Sequence, residues 1–234
     1  MKKCEKIYEG KAKALYTTED ADVLIQYFKD DATALDGKKK GIIVNKGVLN
    51  NRISSRIFRY LEKNGVKTHF VDMPDERDMA VKKVKIFPIE VVVRNIVAGS
   101  LSKRMGIEEG AALKETILEL YYKSDPLGDP MINEYHIRAF GLASNAELDI
   151  IKAEALKINK ILTKFFDERG IILVDFKLEF GSHKGEVLLA DEITPDGCRL
   201  WDKETRDKMD KDRFRRDLGN VEEAYQKVLE KVMR

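Results

Sequence analysis

Cysteine and histidine are scarce in this chain, with Cys4 and Cys198 the only two of the first and His69, His136 and His183 the only three of the second. The cysteines lie far apart without ligand spacing, which reads as two reduced thiols rather than a disulfide or a metal site. The histidines show no paired spacing, so zinc chemistry is not expected. No apolar run reaches the ~18 residues of a membrane span. The start, MKKCEKIYEG, has no apolar segment of the secretory kind. A cytoplasmic protein with no membrane partner is the expectation. Charge of one sign is also missing: 43 Lys+Arg against 41 Asp+Glu give a formal net charge of +2. Without a basic field or aromatic platforms, a nucleic-acid partner is not expected. Neither GxxxxGK[ST] nor GxGxxG occurs, which removes the two commonest sequence signals for a bound nucleotide.

Hydrophobic residues make up 43% of the 234, enough to fill the core of one large domain or two small ones around a cleft. Lys6 to Thr17 reads as a hairpin about Gly10, followed by a strand over Val23 to Lys29 and a polar, mobile loop over Asp30 to Gly41. A helix is expected over Asn45 to Asn64, closed by Gly65, then strands over Val66 to Asp72 and Met79 to Phe87. From Pro88 the pattern changes, which divides the chain into an N-terminal lobe, 1–87, and a C-terminal domain, 88–234. Ile89 to Ala98 and Ile117 to Lys123 read as strands. Ser144 and Glu147 form a capping-box pair. They open a helix whose Leu148, Ile151, Ala155, Ile158, Leu162 and Phe165 recur at three- and four-residue steps, ended by Gly170. Short helical stretches are expected over Lys203 to Met209 and Asp212 to Leu218, and Asn220 is expected to cap a last helix. Strand runs interleaved with long helices make the fold class α+β.

The sharpest chemical signal is LVDFKLEFG, Leu173 to Gly181. Strand side chains alternate between faces, so Ile172, Val174, Phe176, Leu178 and Phe180 form an apolar face. Asp175, Lys177 and Glu179 form the other. A turn over Gly181 to Gly185 returns the chain through Val187 to Ile193, and an even register puts Asp191 on the face of Glu179. Two carboxylates and a lysine suit a magnesium–triphosphate site, because Mg²⁺ is held by one or two carboxylates together with substrate phosphates.

Other cations are scattered. Lys11 and Lys13 flank Ala12 after Gly10; from spacing alone they read first as surface lysines on an edge hairpin, and as point charges they also suit phosphates. Glu90 and Arg94 share one strand face, with Gly99–Ser100 at its end, either as a phosphate clamp or as an ion pair on the sheet. Arg199 lies beside the only tryptophan, and Lys211, Arg213, Arg215 and Arg216 crowd one short stretch. There is no nucleophile constellation. Phosphate-handling chemistry is favoured, without its substrate.

At these residues the chain closely resembles the SAICAR synthetase family over nearly its whole length. The resemblance is carried by YEGKAK from Tyr8, PIEVVVRNIVAGS from Pro88 and YYKSDPLGDP from Tyr121. It continues in LVDFKLEFG from Leu173, LLADEITPDGCRLWDKET from Leu188 and DKDRFRRDLG from Asp210. It implies a two-lobed α+β fold similar to protein kinases and ATP-grasp ligases, an antiparallel N-terminal lobe covering a larger domain, with ATP between. The implied activity is ATP-dependent ligation of the carboxylate of carboxyaminoimidazole ribonucleotide (CAIR) to the amine of L-aspartate in purine biosynthesis. Lys11 and Lys13 would hold ATP phosphates, Lys177 would reach them from the floor, and backbone at Lys82 and Val84 would meet the adenine. Glu179 and Asp191 would hold Mg²⁺, with Lys177 and Asp191 catalytic. Arg94, Ser100 and Arg199 would bind the CAIR phosphate, Lys211 and Arg215 would close over it, and Lys123 and Asp129 would lie on the substrate side. Asp36 and Lys38 would order when CAIR or aspartate arrives. A homodimer is implied. Two other classes compete: a kinase-like phosphotransferase on a small nucleotide, which would release ADP without aspartate, and a non-catalytic nucleotide- or RNA-binding module.

Overall fold

The computed structural model describes residues 1–34 and 37–234. The chain opens with β1 (Lys6–Glu9), β2 (Lys13–Thr17) and β3 (Val23–Phe28). A hairpin, β4 (Asp31–Ala34) and β5 (Lys39–Ile42), leads into α1 (Lys46–Lys63), then β6 (Phe70–Asp72) and β7 (Asp78–Lys82). Five of these strands form an antiparallel sheet ordered β1-β2-β3-β7-β6, while β4 and β5 pair with each other in a separate two-stranded sheet. The second sheet contains β8 (Lys85–Ile96), β9 (Ala112–Tyr122), β10 (Met131–Ile132), β11 (Ile171–His183), β12 (Glu186–Ala190) and β13 (Cys198–Asp202). Its order is β10-β9-β8-β11-β12, and β13 pairs with the first part of β11. The remaining helices are α2 (Gly99–Met105), α3 (Glu134–Ala139), α4 (Asn145–Asp167), α5 (Asp212–Arg215) and α6 (Val221–Met233).

Helix α4 forms as its periodicity requires. The Ser144 hydroxyl accepts the Glu147 N–H, and the Glu147 carboxylate accepts the Ser144 N–H at 2.8 Å. Its apolar stripe, Leu148 to Phe165, is buried against β11, and each fully buried leucine, isoleucine or phenylalanine contributes roughly 1.5–3 kcal/mol. One apolar cluster takes Phe28 and Met79 from the first sheet, Val91, Phe176 and Phe180 from the second, and Ile53, Phe165 and Val228 from helices. The sheets also join through backbone: the His69 N–H donates to Leu189 O at 2.8 Å, and the Leu189 N–H donates to Lys67 O at 3.0 Å. Among the described residues no helix is long and apolar enough to cross a membrane.

The α+β class and the antiparallel N-terminal sheet are as expected; several local readings differ. The supposed loop at 30–41 contains the β4–β5 hairpin, whose polar sequence hid it. The strand expected over Met79 to Phe87 is two strands joined by Lys83–Val84, and β8 begins at Lys85, so position 87/88 lies inside a strand. Gly181 is part of β11, opposite Leu188, and the turn is Lys184–Gly185, both with positive φ. Leu173 faces Leu200 and Asp175 faces Arg199, which leaves Val174 as an extra, bulged residue. The apolar alternation therefore breaks there. Leu173, Phe176, Leu178 and Phe180 enter the main core, whereas Ile172 and Val174 pack with Ala98 and Trp201. Residues 203–209 form turns and a single bridge rather than a helix. Asn220 precedes α6 in a left-handed conformation, and its side chain makes no capping bond.

Candidate active site

The central strand β11 carries two separate charged clusters. In the first, Lys177 and Glu179 point to the same side two residues apart. Glu90 of β8 lies directly opposite Glu179, an arrangement of like charges that is unfavourable unless cations intervene. They do. The Lys177 amine is 2.9 Å from Glu90 and 3.5 Å from Asp191, and it also bonds Glu179. The Lys123 amine, just past β9, is 2.8 Å from the same Oε1 atom of Glu179 and 3.8 Å from Glu90. Lys13 of β2 crosses from the first sheet to bond Asp191 and lies 2.8 Å from Glu192.

Asp191 reaches this cluster for a reason other than the one expected. Glu179 pairs with Ala190, so simple alternation would send Asp191 to the opposite face. Its backbone instead adopts φ 62°, and this left-handed turn brings it back to Lys13 and Lys177. Burial pushes the Lys177 amine down, but Glu179, Asp191 and Glu90 outweigh it and hold the amine well above its ordinary value. Burial likewise opposes ionisation of Asp191, and Lys13 and Lys177 overcome it, keeping the carboxyl well below the usual carboxylate range. Lys177 and Asp191 thus both carry their charges at neutral pH.

The second cluster begins at Asp175. This residue does not join Lys177 and Glu179; it lies buried between two arginines. Arg94 Nη1 donates to its Oδ2 at 2.8 Å and Arg199 Nη1 to the same atom at 2.9 Å. Arg94 does not pair with Glu90. Its Nε donates to Glu119 at 2.7 Å and its Nη2 to the Ser100 hydroxyl at 3.0 Å, and the side chain is 3% exposed. Arg199 Nε donates to Asp212 at 3.0 Å, and Arg215 Nη1 donates to the other Asp212 oxygen at 2.6 Å. Burial opposes ionisation of Asp212, but these arginines bring it down to about 2. The Arg199 guanidinium lies on the backbone of Gly99: a Cβ there would come within 2.3 Å of Nη2, and φ is +54°, so only glycine fits.

Other expected site residues are distributed as follows. Lys11 is half exposed, 2.7 Å from Asp125, and outside the first cluster. The Lys82 N–H donates to His69 O at 2.6 Å, so it is already engaged, whereas among the described residues the backbone of Val84 makes no internal hydrogen bond. Asp129 accepts the Ser124 N–H at 2.7 Å in a tight turn. Lys38 is exposed at the β4–β5 turn, where Lys39 ties the hairpin to Phe214 O and Asp217, each at 2.6 Å. Asp36 lies outside the described residues. Lys211 is partly buried, and burial, then Arg215 and Lys46, push its amine down despite Asp196. Sequence reasoning missed Glu192 and Glu119 as ion-pair partners, and nothing local in the sequence marks them; Asp212, readable as balancing the basic stretch and paired with Arg215 three residues on, was missed only as the partner of Arg199. Glu90 was visible only as a partner for the wrong arginine.

Among the described residues no three His, Cys, Asp or Glu side chains are grouped to hold a metal unaided. The donor set fits Mg²⁺ bound together with phosphates, which needs one or two carboxylates. Glu179 and Asp191 meet at Lys177, and the contacts to Glu179 all fall on Oε1, leaving Oε2 as a donor. Cys198 is buried, which pushes its thiol well up, and it is unsuited to nucleophilic work.

Comparison with known proteins agrees with this geometry. The chain matches the SAICAR synthetase family over residues 6–232. It is 58% identical over 232 residues to the phosphoribosylaminoimidazole-succinocarboxamide synthase of Caldanaerobacter subterraneus, covering 99% of each chain. The corresponding protein of Fusobacterium nucleatum is 58% identical over 233 residues, with 99% of this chain and 98% of that one covered. Among solved structures, phosphoribosylaminoimidazole-succinocarboxamide synthase from Ehrlichia chaffeensis superposes with a TM-score of 0.96 at 51% identity, covering 98% of both chains. A SAICAR synthetase in complex with ADP superposes with a TM-score of 0.93 at 51% identity, over 96% of both. With near-complete coverage in both sequence and fold, the chain belongs to the SAICAR synthetase family.

Proposed function

We propose that the two clusters on β11 are the two halves of one active site, in which ATP activates the carboxylate of CAIR for attack by L-aspartate. The chain is accordingly an ATP-dependent carbon–nitrogen ligase that forms SAICAR, ADP and phosphate in purine biosynthesis. The observation that carries this reading is the placement of Asp175, with its arginines, and Lys177–Glu179, with their carboxylates, on one strand. At ~3.3 Å per residue, Asp175 and Glu179 are about 13 Å apart, a span suited to a ribonucleotide held by its phosphate at one end and its base carboxylate at the other.

In this reading residues 1–87 cover the nucleotide and 88–234 supply the floor. The adenine meets the free backbone of Val84 and the Lys82 carbonyl. Lys11 and Lys13 take ATP phosphates; the exposed Lys11–Asp125 pair contributes at most ~1 kcal/mol and is easily given up. Glu179 and Asp191 hold Mg²⁺, whose charge would offset that of the phosphates. Lys177 faces the transferring phosphoryl group. A carboxylate repels an incoming amine, and phosphorylation removes that charge and creates a leaving group. A CAIR carboxylate oxygen takes the γ-phosphoryl group and ADP departs. The amine of L-aspartate then attacks the acyl carbon, loses a proton, and inorganic phosphate leaves. Positioning and charge neutralisation suffice for such a transfer, consistent with a site of lysines and carboxylates. The ribonucleotide phosphate is assigned to Arg199, Ser100 and Arg94, with Lys211 and Arg215 beside it and Lys123 and Asp129 toward the reacting end. Arg94 already bonds four side chains, so it orients Ser100 and Asp175 as much as it binds phosphate. Asp36 and Lys38 are assigned to aspartate. A cytoplasmic homodimer without nucleic-acid or membrane partners completes the proposal.

The test is ADP release by the purified protein with Mg-ATP and CAIR, with and without L-aspartate, together with product analysis. Succinocarboxamide and ADP should form in equal amounts. A stable phosphorylated nucleotide formed equally without aspartate would establish a phosphotransferase instead.

A further inference from the structure

The segment from Asp191 to Arg199 joins the two clusters, and its middle is held by groups that the reaction above does not use. Lys46, the first residue of α1, is 1% exposed, and its amine is 2.6 Å from Asp196 Oδ2. Tyr225 of α6 is fully buried and donates its hydroxyl to Asp196 Oδ1 at 2.6 Å. A lysine at a helix N-terminus opposes the helix dipole. Burying an ion pair also stabilises a fold no better than apolar side chains of the same volume. Folding alone therefore does not account for this arrangement.

Its position does. The residues on either side of Asp196 bond the backbone of site lysines: Pro195 O accepts the Lys211 N–H at 3.0 Å, and Gly197 O accepts the Lys177 N–H at 2.9 Å. Helix α1 also braces the segment at Ile193, whose N–H donates to the Ser54 hydroxyl at 3.1 Å. We propose that Lys46 and Tyr225 are positioning residues which, through Asp196, fix Lys177 and Lys211 relative to each other and so align the two halves of the site. The proposal rests on the assignment of those lysines given above. Neither Lys46 nor Tyr225 touches substrate.

The test compares wild type, Lys46→Met, Lys46→Met with Asp196→Asn, and Tyr225→Phe. The single Lys46→Met leaves the buried Asp196 carboxylate without its ion-pair contact, the Tyr225 hydroxyl still donating to it, and should lower Tm. The double variant removes both charges and should recover most of that loss. Because small misplacements at a reacting centre can cost up to about a hundredfold, kcat/KM for CAIR should stay at least about fivefold below wild type in the double variant. Mg-ADP affinity by calorimetry should change by no more than about twofold, since ADP lacks the transferred phosphoryl group. Tyr225→Phe, assayed where circular dichroism shows it folded, should give the same selective loss. Activity that recovers together with Tm in the double variant would overturn the proposal, as would wild-type kinetics in Tyr225→Phe. Should the double variant not regain stability, the kinetic split in Tyr225→Phe decides alone. A wild-type protein forming no succinocarboxamide would instead refute the assignment of the site.

Discussion

Replacing Glu179 by glutamine keeps the volume of the side chain and one acceptor while removing a charge from the centre of the first cluster. In the native protein Glu179 Oε1 takes both Lys123 and Lys177. After the change Lys177 still has Glu90 at 2.9 Å and Asp191 at 3.5 Å, and Lys123 still has Glu90 at 3.8 Å. No buried cation is stranded. The loss is that of one or two charged hydrogen bonds partly replaced by the amide oxygen, about 1–2 kcal/mol, or roughly 2–8 °C in Tm for a chain of this size. Catalysis should suffer more. A missing charge-stabilising contact in the transition state commonly costs about 3 kcal/mol, roughly a hundredfold in rate. If Glu179 is a metal ligand, the Mg²⁺ concentration needed for half-maximal turnover should rise as well. Turnover titrated with Mg²⁺, alongside thermal unfolding of the same sample, separates these effects. A variant that loses activity only in proportion to its unfolded fraction, with an unchanged Mg²⁺ requirement, would show that Glu179 serves the fold and not the metal.

Two further outcomes follow from the second cluster. Arg199→Lys should weaken CAIR binding at least about tenfold while leaving Mg-ATP affinity nearly intact, because an ammonium cannot reproduce the paired bonds of a guanidinium. Lys11→Ala should do the reverse, and calorimetric titration of both variants with both ligands would expose a reversed assignment. Asp210 is fully buried, and burial, then Asp212, pushes its carboxyl up to about 7. Between about pH 4 and 7 the folded state holds a proton that the unfolded chain has released, so this group lowers stability as pH rises, by at most about 1.4 kcal/mol per unit. Asp210→Asn should therefore gain Tm relative to wild type as pH rises through that window, and a difference in Tm that stays flat would contradict the burial argument.

How much of this site could be read from sequence varies residue by residue. Lys177 and Glu179 were legible because strand alternation is local. Asp175 keeps their face, its register with β8 running unbroken to Glu179, yet the arginines from β8 and β13 draw it into a separate cluster. Asp191 was assigned to the right cluster by an even register that does not exist; its positive φ supplies the turn, and backbone conformation at one aspartate leaves no periodic trace. Glu119 and Asp212 compensate Arg94 and Arg199 across long sequence separations, which spacing arguments cannot reach. The capping box of α4 was legible in full because all its parts lie within four residues. The β4–β5 hairpin was not, because its composition is that of a loop and its support comes from Phe214 and Asp217.

The route through a carboxyl phosphate is the central claim, and the fate of the carboxylate oxygen tests it most directly. With CAIR labelled by ¹⁸O in the carboxylate, the oxygen that takes the γ-phosphoryl group must leave with it. Mass spectrometry of the inorganic phosphate from a single turnover should then find one ¹⁸O atom per phosphate. Unlabelled phosphate, with the lost carboxylate oxygen released as labelled water, would contradict the account.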